Sequence, residues 1–392
     1  MELFPSILIG GPPHVGKSVL AYSLTHALRR RGVEHYVLRA YPDGEGDWAN
    51  EADQRLVRRI RIKGEGTPEW VTRICRDIAA RHLPLIVDVG GRPTPDQERV
   101  FDHCTHAILL TKDAAHRDTW QTMIVRHGLI LLADLHSRLR GTSLVTDDGP
   151  VLRGVITGLE RGTTAAGPTF DALVERVARL FAYDPAELRR SHLTSAPVEN
   201  VIDLDRLART LGVPFTGEKA TWQPRHLPPL LDYLPEATPL GLYGRGPNWL
   251  YAAVALSARP APFYQFDVRL GWITPPTLRL GPPLPGAPLQ VCPVPRGTHT
   301  RLEFAIPRDY LDYDEADGLA VPSVSPHQGV VLSGKLPHWL YAALALTYAP
   351  LVPWLAVYQP QWETQAIVVS SRVPDLPPGR LAASPPQARA PK

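Results

Sequence analysis

The chain reads Ser6-Ile7-Leu8-Ile9-Gly10-Gly11-Pro12-Pro13-His14-Val15-Gly16-Lys17-Ser18 close to its first residue, an apolar stretch that runs into G-x-x-x-x-G-K-S. Leucines then recur at helical spacing until Gly32 ends the pattern. A strand, a glycine-rich turn and a helix in this order are typical of a P-loop, whose backbone N–H groups surround phosphates. The phosphates would lie at the helix N-terminus.

Each signature residue of this loop has a predicted role. Gly11 and Gly16 let the main chain approach phosphates closely, because they carry no Cβ. Lys17 reaches the β- and γ-phosphates, and the Ser18 hydroxyl ligates Mg²⁺. The sequence therefore predicts an ATP-binding site with Mg²⁺ as cofactor. The alternative is a degenerate loop that folds without binding a nucleotide.

A second metal-binding residue is predicted from the apolar run Leu85-Ile86-Val87-Asp88. A buried strand that ends in a carboxylate supplies what the metal side of a P-loop site needs. We interpret Asp88 as holding Mg²⁺ through water. The alternative is an aspartate that caps the turn at Gly90-Gly91.

Composition limits the class of protein. The 392 residues are 44% hydrophobic and 21% charged, which is typical of soluble globular proteins. A net charge of +3 does not favour a duplex DNA partner. Cys75, Cys104 and Cys292 show neither a disulfide framework nor metal-ligand spacing. No apolar run approaches the ~18 residues of a membrane span, and no signal peptide is evident, so we expect a cytoplasmic protein without membrane contact.

Strands and helices alternate through the first half, which predicts an α/β domain with a mostly parallel sheet over residues 1–195. The predicted strands are 6–10, 35–40, 84–89, 106–111 and 152–157. The predicted helices lie near 17–31, 51–62, 68–81, 95–103, 114–126 and 169–181. An acidic, glycine-rich segment at 43–47 follows the second strand and is either a substrate loop or a solvated turn.

An internal repeat follows. Residues 242–256 align with residues 332–346 at an offset of ninety, with most positions identical or similar. We predict two small α/β repeats, an N-terminally reduced copy with its linker at 196–284 and a complete copy at 285–373, before a disordered tail at 374–392. The predicted elements of the second copy are strands at 289–294, 301–306, 329–333, 354–358 and 365–371, and a short helix near 308–317. The first copy is predicted to lack the two leading strands.

Each repeat places a glycine and a cation between a strand and a helix. The residues are Gly244-Arg245-Gly246 and Gly334-Lys335. A phosphodiester fits such a helix N-terminus. The pairs Trp249/Tyr251 and Trp339/Tyr341 are either stacking platforms for bases or core residues. His338 either supplies a proton across the two copies or is an ordinary surface histidine.

The pattern G-R/K-x-P-x-W-L-Y-A-A, followed by Phe266-Asp267-Val268-Arg269-Leu270-Gly271, resembles the CRISPR-associated ring-nuclease family of the Csx/Crn type over residues 225–373. That family includes members joined to an AAA-like P-loop domain. The resemblance implies binding and cleavage of cyclic tetraadenylate from type III CRISPR systems, usually with Mn²⁺. It also implies that Asp267 and Arg269 are the catalytic acid and arginine, and that the protein forms homo-oligomers.

The chain departs from this family at two places. No histidine stands at 255–259 or 345–349, where the family helix carries histidines. In the second copy, the segment Tyr358-Gln359-Pro360-Gln361-Trp362 stands in place of the acid and the arginine. The sequence therefore predicts an internal pseudo-dimer with at most one competent half.

Three hypotheses remain open. The first is a ring nuclease that degrades cyclic tetraadenylate and is coupled to an ATP-hydrolysing P-loop domain. The second is a sensor that binds the cyclic nucleotide without cutting it and regulates ATP turnover or assembly. The third is a P-loop phosphotransferase whose C-terminal domains bind a partner.

Overall fold

The computed structural model describes residues 4–40, 67–217, 219–307, 311–359, 361 and 365–383. The predicted loop at 43–47 and the predicted helix at 51–62 lie outside these ranges. The chain divides into two compact units. The first runs to His192 and includes Val268–Gly271, and the second comprises Leu193–Asp267 and the chain from Trp272 onward.

A seven-stranded sheet forms the centre of the first unit. Its strands are Ser6–Gly10 (β1), Tyr36–Arg39 (β2), Leu85–Asp88 (β3), His106–Thr111 (β4), Ile130–Arg138 (β5), Leu144–Asp148 (β6) and Leu152–Thr157 (β7). They lie in the order β2-β3-β1-β4-β5-β7-β6. Neighbouring strands are parallel except β6 and β7, which are antiparallel. The predicted α/β class with a mostly parallel sheet is confirmed.

The helices of the first unit begin where the sequence marks their starts. They are Lys17–Arg30 (α1), Pro68–Ala79 (α2), Pro95–Glu98 (α3), Ala114–Arg126 (α4), Pro168–Leu180 (α5) and Pro185–Thr194 (α6, which ends in the second unit), with a 3-10 turn at Phe101–His103. The Thr67 hydroxyl accepts a hydrogen bond from the backbone N–H of Trp70. Thr94 and Gln97 form the predicted capping box.

Three elements of this unit escaped prediction: β5, β6 and α6. The strand β5 carries Asp134, His136 and Ser137 among its apolar residues, so it lacks the continuous apolar run of a buried parallel strand. Asp134 is nevertheless buried, because Arg117 pairs with its carboxylate. Tertiary pairing thus overrides the local pattern.

The second unit contains two larger sheets. Their strands are Val201–Asp203 (β8), Leu240–Tyr243 (β11), Phe263–Asp267 (β12) and Gly271–Ile273 (β13) in one sheet, and Gln290–Arg296 (β15), His299–Ala305 (β16), Gly329–Gly334 (β18), Trp354–Tyr358 (β19), Gln365–Ser371 (β20) and Leu381–Ala383 (β21) in the other. The orders are β13-β12-β11-β8 and β15-β16-β18-β19-β20-β21. Two short sheets pair Phe215–Thr216 (β9) with Lys219–Ala220 (β10) and Arg279–Leu280 (β14) with Ala320–Val321 (β17).

The helices of the second unit are short. They are Leu204–Thr210 (α7), Leu227–Tyr233 (α8), Asn248–Ala258 (α9), Tyr313–Ala316 (α10) and His338–Tyr348 (α11), with a 3-10 turn at Pro224–His226. Helix α10 is shorter than the predicted helix near 308–317. Helices α9 and α11, which carry the repeated sequence, pack against each other.

Both larger sheets contain the same parallel core. The strands β8, β11 and β12 are parallel neighbours, and so are β16, β18 and β19. Gly241 pairs with Val201, and its repeat equivalent Val331 pairs with Arg301. The first copy therefore has one leading strand, β8, which corrects the prediction that it lacks two. A strand of three residues is too short to show periodicity in the sequence.

The predicted disordered tail begins too early. Residues 381–383 form β21, which pairs with β20 in antiparallel orientation. The Val368 N–H donates to the Arg380 oxygen, and Gly379 N–H donates to the Val368 oxygen. Backbone pairing at a sheet edge orders this segment despite its proline-rich composition. Residues 384–392 lie outside the described ranges.

Within the described ranges, no helix combines the length and the hydropathy that crossing a lipid bilayer requires.

Candidate functional site

The predicted phosphate-binding loop connects β1, a buried strand inside the sheet, to α1. Gly16 precedes the helix with φ 94°, a left-handed conformation that favours glycine. A Cβ at this position would lie 2.4 Å from the Leu159 Cβ. Because Gly16 has no side chain, no side-chain cap occupies the first N–H groups of α1, which therefore remain available to an anion.

Lys17 lies inside this loop and not in solvent. Its ammonium donates to the main-chain oxygens of Gly11 at 2.8 Å and Pro12 at 2.9 Å. The side chain is buried. From β5, the Ser137 hydroxyl donates a 2.8 Å hydrogen bond to the Val15 oxygen and holds the loop from the other side. The loop conformation is thus stabilised by hydrogen bonds from its own Lys17 and from Ser137 on a strand of the sheet.

Asp88 ends β3, the strand directly beside β1, where it pairs in register with Ile9. The carboxylate is buried, and Arg39 Nη1 lies 4.0 Å from its Oδ2. Ser18 occupies the first turn of α1 and is half-buried. The structure thus places the two predicted metal-binding residues on adjacent elements at the same end of β1.

The donors present suit Mg²⁺. Among the described residues, no group of three or more His, Cys, Asp or Glu side chains could hold a metal by itself. Mg²⁺ prefers one or two protein oxygens completed by water and substrate phosphates. A hydroxyl from Ser18 and one carboxylate from Asp88 match that preference.

The two repeated turns in the second unit have matching structures. Helices α9 and α11 follow Pro247 and Pro337, neither of which provides a side-chain hydrogen bond to the helix. Their first N–H groups are therefore not capped by side chains. The predicted cations Arg245 and Lys335 are exposed at equivalent positions beside these helix ends.

Tyrosine hydroxyls fix both turns. Tyr251 donates to the Gly244 oxygen at 2.5 Å, and Tyr341 donates to the Gly334 oxygen at 2.7 Å. Burial raises the pKa of both phenols, that of Tyr341 to about 12. At Gly334 the backbone also approaches β16 closely, because a Cβ there would lie 2.5 Å from the Phe304 oxygen.

The paired aromatic residues of α9 and α11 belong to the core. Trp249 and Tyr251 are 1% and 2% exposed, and Trp339 and Tyr341 are 2% and 1% exposed. These side chains have no open ring face for a base, so the interpretation as core residues is correct.

The N-termini of α9 and α11 meet. His338 Nδ1 lies 2.6 Å from Asn248 Oδ1, and these residues occupy equivalent positions in the two copies. The His338 ring stacks on Tyr251 at 4.1 Å between centroids and 4° between planes. Asn248 in turn hydrogen-bonds the Tyr341 side chain. Each copy thus contacts the tyrosine of the other, as in an isologous interface.

His338 is half-buried at the contact between the two copies. Burial lowers its pKa from 6.5 to about 4, and the Asp267 carboxylate acts in the opposite direction. Asp267 and Asp205 also raise the pKa of Tyr251, after burial. Asp267 and Asp205, the carboxylates that act on these rings, both belong to the copy that contains Gly244.

Arg269 is engaged elsewhere. Its Nε lies 3.6 Å from Asp77 Oδ2, and both residues belong to the first unit. Asp267, by contrast, belongs to the second unit and acts on His338 and Tyr251. The predicted acid and arginine thus interact with different partners.

Arg301 was missed by the sequence analysis. It is buried in β16, where Nη2 donates to Ser333 Oγ at 3.0 Å and Nε lies 3.2 Å from Glu303 Oε1. Its guanidinium carbon lies 4.1 Å from the Tyr358 ring centroid. The pairing register makes Val201 its equivalent in the first copy. An arginine alternating with apolar residues in a strand gives no signal that it is buried.

A family comparison covers the second copy. Residues 305–382 match the family model described as CRISPR-associated protein (Cas_csx3). The match supports a CRISPR-associated C-terminal region. It includes Gly334, Lys335 and His338, whereas the first unit and the first copy lie outside it. No curated protein matches the chain.

Proposed function

We propose that this protein is a type III CRISPR accessory protein that binds cyclic tetraadenylate at the paired turns of its second unit and degrades it. The proposal includes an ATP-binding and ATP-hydrolysing P-loop in the first unit, with Mg²⁺ held by Ser18 and Asp88. Mn²⁺ is the proposed metal for the nuclease step. We also propose that the protein acts as a homo-oligomer in the cytoplasm, without duplex DNA or membrane partners.

The contact between Asn248 and His338 carries this proposal. It brings two uncapped helix N-termini together, each beside an exposed cation, Arg245 or Lys335. Two such ends offer two anion-binding positions with reciprocal contacts, which suits a small ring of phosphodiesters. The family match to the second copy supports the CRISPR-associated part of the proposal.

The P-loop half of the proposal depends on the position of Lys17 and Asp88 around β1. A nucleotide triphosphate would accept N–H groups from α1 and the ammonium of Lys17, which would exchange its present carbonyl partners for phosphate oxygens. When bound, ATP and Mg²⁺ supply the transferable phosphoryl group and its charge neutralisation. Ser18 and Asp88 would orient the metal through one hydroxyl and one carboxylate.

The central experiment uses the purified full-length protein with labelled cyclic tetraadenylate and Mn²⁺. We expect linear products from the wild type and a loss of at least about 100-fold in rate for Asp267→Asn. The matched control is Gln359→Ala, which alters the equivalent position of the second copy and should cut at the wild-type rate. An intact ring after long incubation with the wild type would remove the nuclease proposal.

A sensor without nuclease activity is the second candidate. It is favoured by Gln359, which replaces the acid in the second copy, and by the absence of histidine at 255–259 and 345–349. Calorimetry would then show binding of an unchanged ring, with a changed ATPase rate or oligomer size. Product analysis with added nucleosides tests the third candidate, because a phosphotransferase would label an acceptor whereas an ATPase releases inorganic phosphate.

A further inference from the structure

We propose that His338, from the second copy, is the catalytic base that works beside Asp267, from the first copy, in one half-site for phosphodiester cleavage. Asn248 and Gln359 fill the equivalent positions of the other half, which lacks both titratable groups. This inference deepens the proposed function and depends on it. It identifies a histidine at the first residue of α11, the helix whose far end lacks the family histidines.

Hydrogen bonds around Asn248 fix the tautomer of His338. The Tyr341 hydroxyl donates to the Gly334 oxygen, and Asn248 hydrogen-bonds the Tyr341 side chain. The Asn248 amide oxygen lies 2.6 Å from Nδ1 of His338 and can only accept a hydrogen bond, so Nδ1 carries the proton. The lone pair of the neutral imidazole then lies on Nε2, where a base needs it.

Stacking fixes the plane of the same ring. The His338 and Tyr251 rings are parallel within 4° at 4.1 Å. Because Tyr251 is itself held by the Gly244 oxygen, the imidazole is oriented by both a hydrogen bond and a packed ring. A base that is already oriented increases the reaction rate more than a mobile one, because less side-chain entropy is lost in reaching the transition state.

Strand pairing identifies the residue equivalent to Asp267. Leu242 pairs with Gln265 in the first copy, and its equivalent Leu332 pairs with Val357 in the second. Two residues further along stand Asp267 and Gln359, respectively. The residue equivalent to His338 in the other half is therefore Asn248, and the residue equivalent to Asp267 is Gln359, so an amide stands in place of each titratable group. Neither amide can accept a proton at ordinary pH.

Asp267 supports the protonated form of His338. The ionisable groups that face the imidazole are the Tyr251 phenol of α9, the Tyr341 phenol reached through Asn248, and the Asp267 carboxylate of β12. The two buried phenols stay neutral, whereas the carboxylate favours the imidazolium that forms when the base accepts a proton. Burial ensures that the ring is neutral before the reaction.

The proposed step balances without a further reactant. Nε2 of His338 accepts the proton of a ribose 2′-hydroxyl, whose oxygen attacks the adjacent phosphorus. The new O2′–P bond forms as the P–O5′ bond breaks, and the 5′-oxygen receives a proton from the imidazolium or from water. The products are a 2′,3′-cyclic phosphate and a 5′-hydroxyl, and the histidine returns to its neutral form.

The test compares His338→Asn with the wild type in the full-length protein. Asparagine keeps a donor at the Nδ1 position toward Asn248 and removes Nε2, so it separates the base from the hydrogen bond. We expect single-turnover cleavage of cyclic tetraadenylate to fall by at least about 100-fold, while its dissociation constant changes less than about threefold. Mass spectrometry should find the 2′,3′-cyclic phosphate in the wild-type products.

Thermal denaturation and ligand titration of each variant separate misfolding from lost chemistry. His327→Asn is the matched control, because this histidine of the second copy is exposed and lies outside the paired turns, and it should cleave normally. If His338→Asn binds the ring and cuts it at the wild-type rate, the inference is overturned while the proposed function stands. If the wild type binds the ring but does not cut it, the base assignment fails and the sensor remains. If the wild type does not bind, the proposed function itself fails.

Discussion

The ammonium of Lys17 donates a 2.8 Å hydrogen bond to the main-chain oxygen of Gly11, across the loop that joins β1 to α1. A second donation to Pro12 completes the pair. The loop thus satisfies its own lysine when no phosphate is present. In the proposed nucleotide complex, phosphate contacts, which are charge-assisted and stronger, would replace these two carbonyl contacts.

We expect Lys17→Ala to weaken ATP binding at least about tenfold, because hydrogen bonds to charged groups contribute about 1.5–3 kcal/mol. Isothermal titration with a non-hydrolysable ATP analogue measures the change. Lys112→Ala is the control, because Lys112 is exposed and its ammonium donates to the His14 main-chain oxygen on the same loop. Equal affinities for both variants and the wild type would contradict the P-loop assignment.

Two buried carboxylates in the first unit should behave differently. Asp88→Asn is expected to reduce the Mg²⁺ dependence of nucleotide affinity, since an amide binds Mg²⁺ more weakly than a carboxylate. Asp134→Asn should lower the melting temperature instead, because it weakens the buried contact with Arg117 Nε at 2.8 Å. Nucleotide titrations with Mg²⁺ and with EDTA, together with melting curves, distinguish them. If Asp134→Asn abolished the Mg²⁺ dependence of nucleotide affinity and Asp88→Asn preserved it, the assignment of Asp88 as the metal-binding carboxylate would be wrong.

The tyrosines of the two repeats offer a matched pair of stability measurements. Tyr251→Phe and Tyr341→Phe each remove one hydrogen bond to a turn oxygen. Each should lower the free energy of unfolding by about 0.5–1.5 kcal/mol, as measured in urea. Both variants should also bind cyclic tetraadenylate more weakly, because the turns at Gly244 and Gly334 lose the hydrogen bond that holds them in place. Unchanged unfolding midpoints would show that the hydroxyls do not hold the turns.

Acid should destabilise the protein through its buried histidines. Burial lowers the pKa of His338 to about 4 and lowers the pKa values of His35 and His192 below 6.5. Below pH 6.5 these histidines therefore bind protons in the unfolded chain but not in the native state. The free energy of unfolding accordingly decreases as the pH falls from 6.5 toward 4. His338→Asn should flatten the dependence of unfolding free energy on pH by up to one proton. An unchanged slope between pH 6.5 and 4.5 would contradict the burial of this ring.

The sequence predicted the first strand and helix well because their signals are local. The run Ser6–Gly10 and the glycines around Lys17 specify a strand, a turn and a helix without reference to the rest of the chain. Capping residues at Thr67 and Thr94 likewise identified two helix starts. Such features depend on neighbours within a few residues.

The candidate site was harder to predict because its environment is made by distant residues. His338 contacts Tyr251 and Asn248, which lie on another helix about ninety positions earlier in the chain. Likewise, Arg301 is paired with Glu303 and Ser333 through two strands of a sheet. Periodicity reports which face of an element is apolar, but it does not report what covers that face.

Because both copies lie on one polypeptide, their sequences can diverge and their contact does not depend on protein concentration. In a symmetric homodimer a single codon specifies both members of the contact, so His338 and Asn248 would have to be the same amino acid. Tandem duplication releases that constraint and lets each position specialise. Because the two copies are covalently linked, their local concentration does not depend on the protein concentration. The contact between His338 and Asn248 should therefore persist at dilutions where separate chains would dissociate.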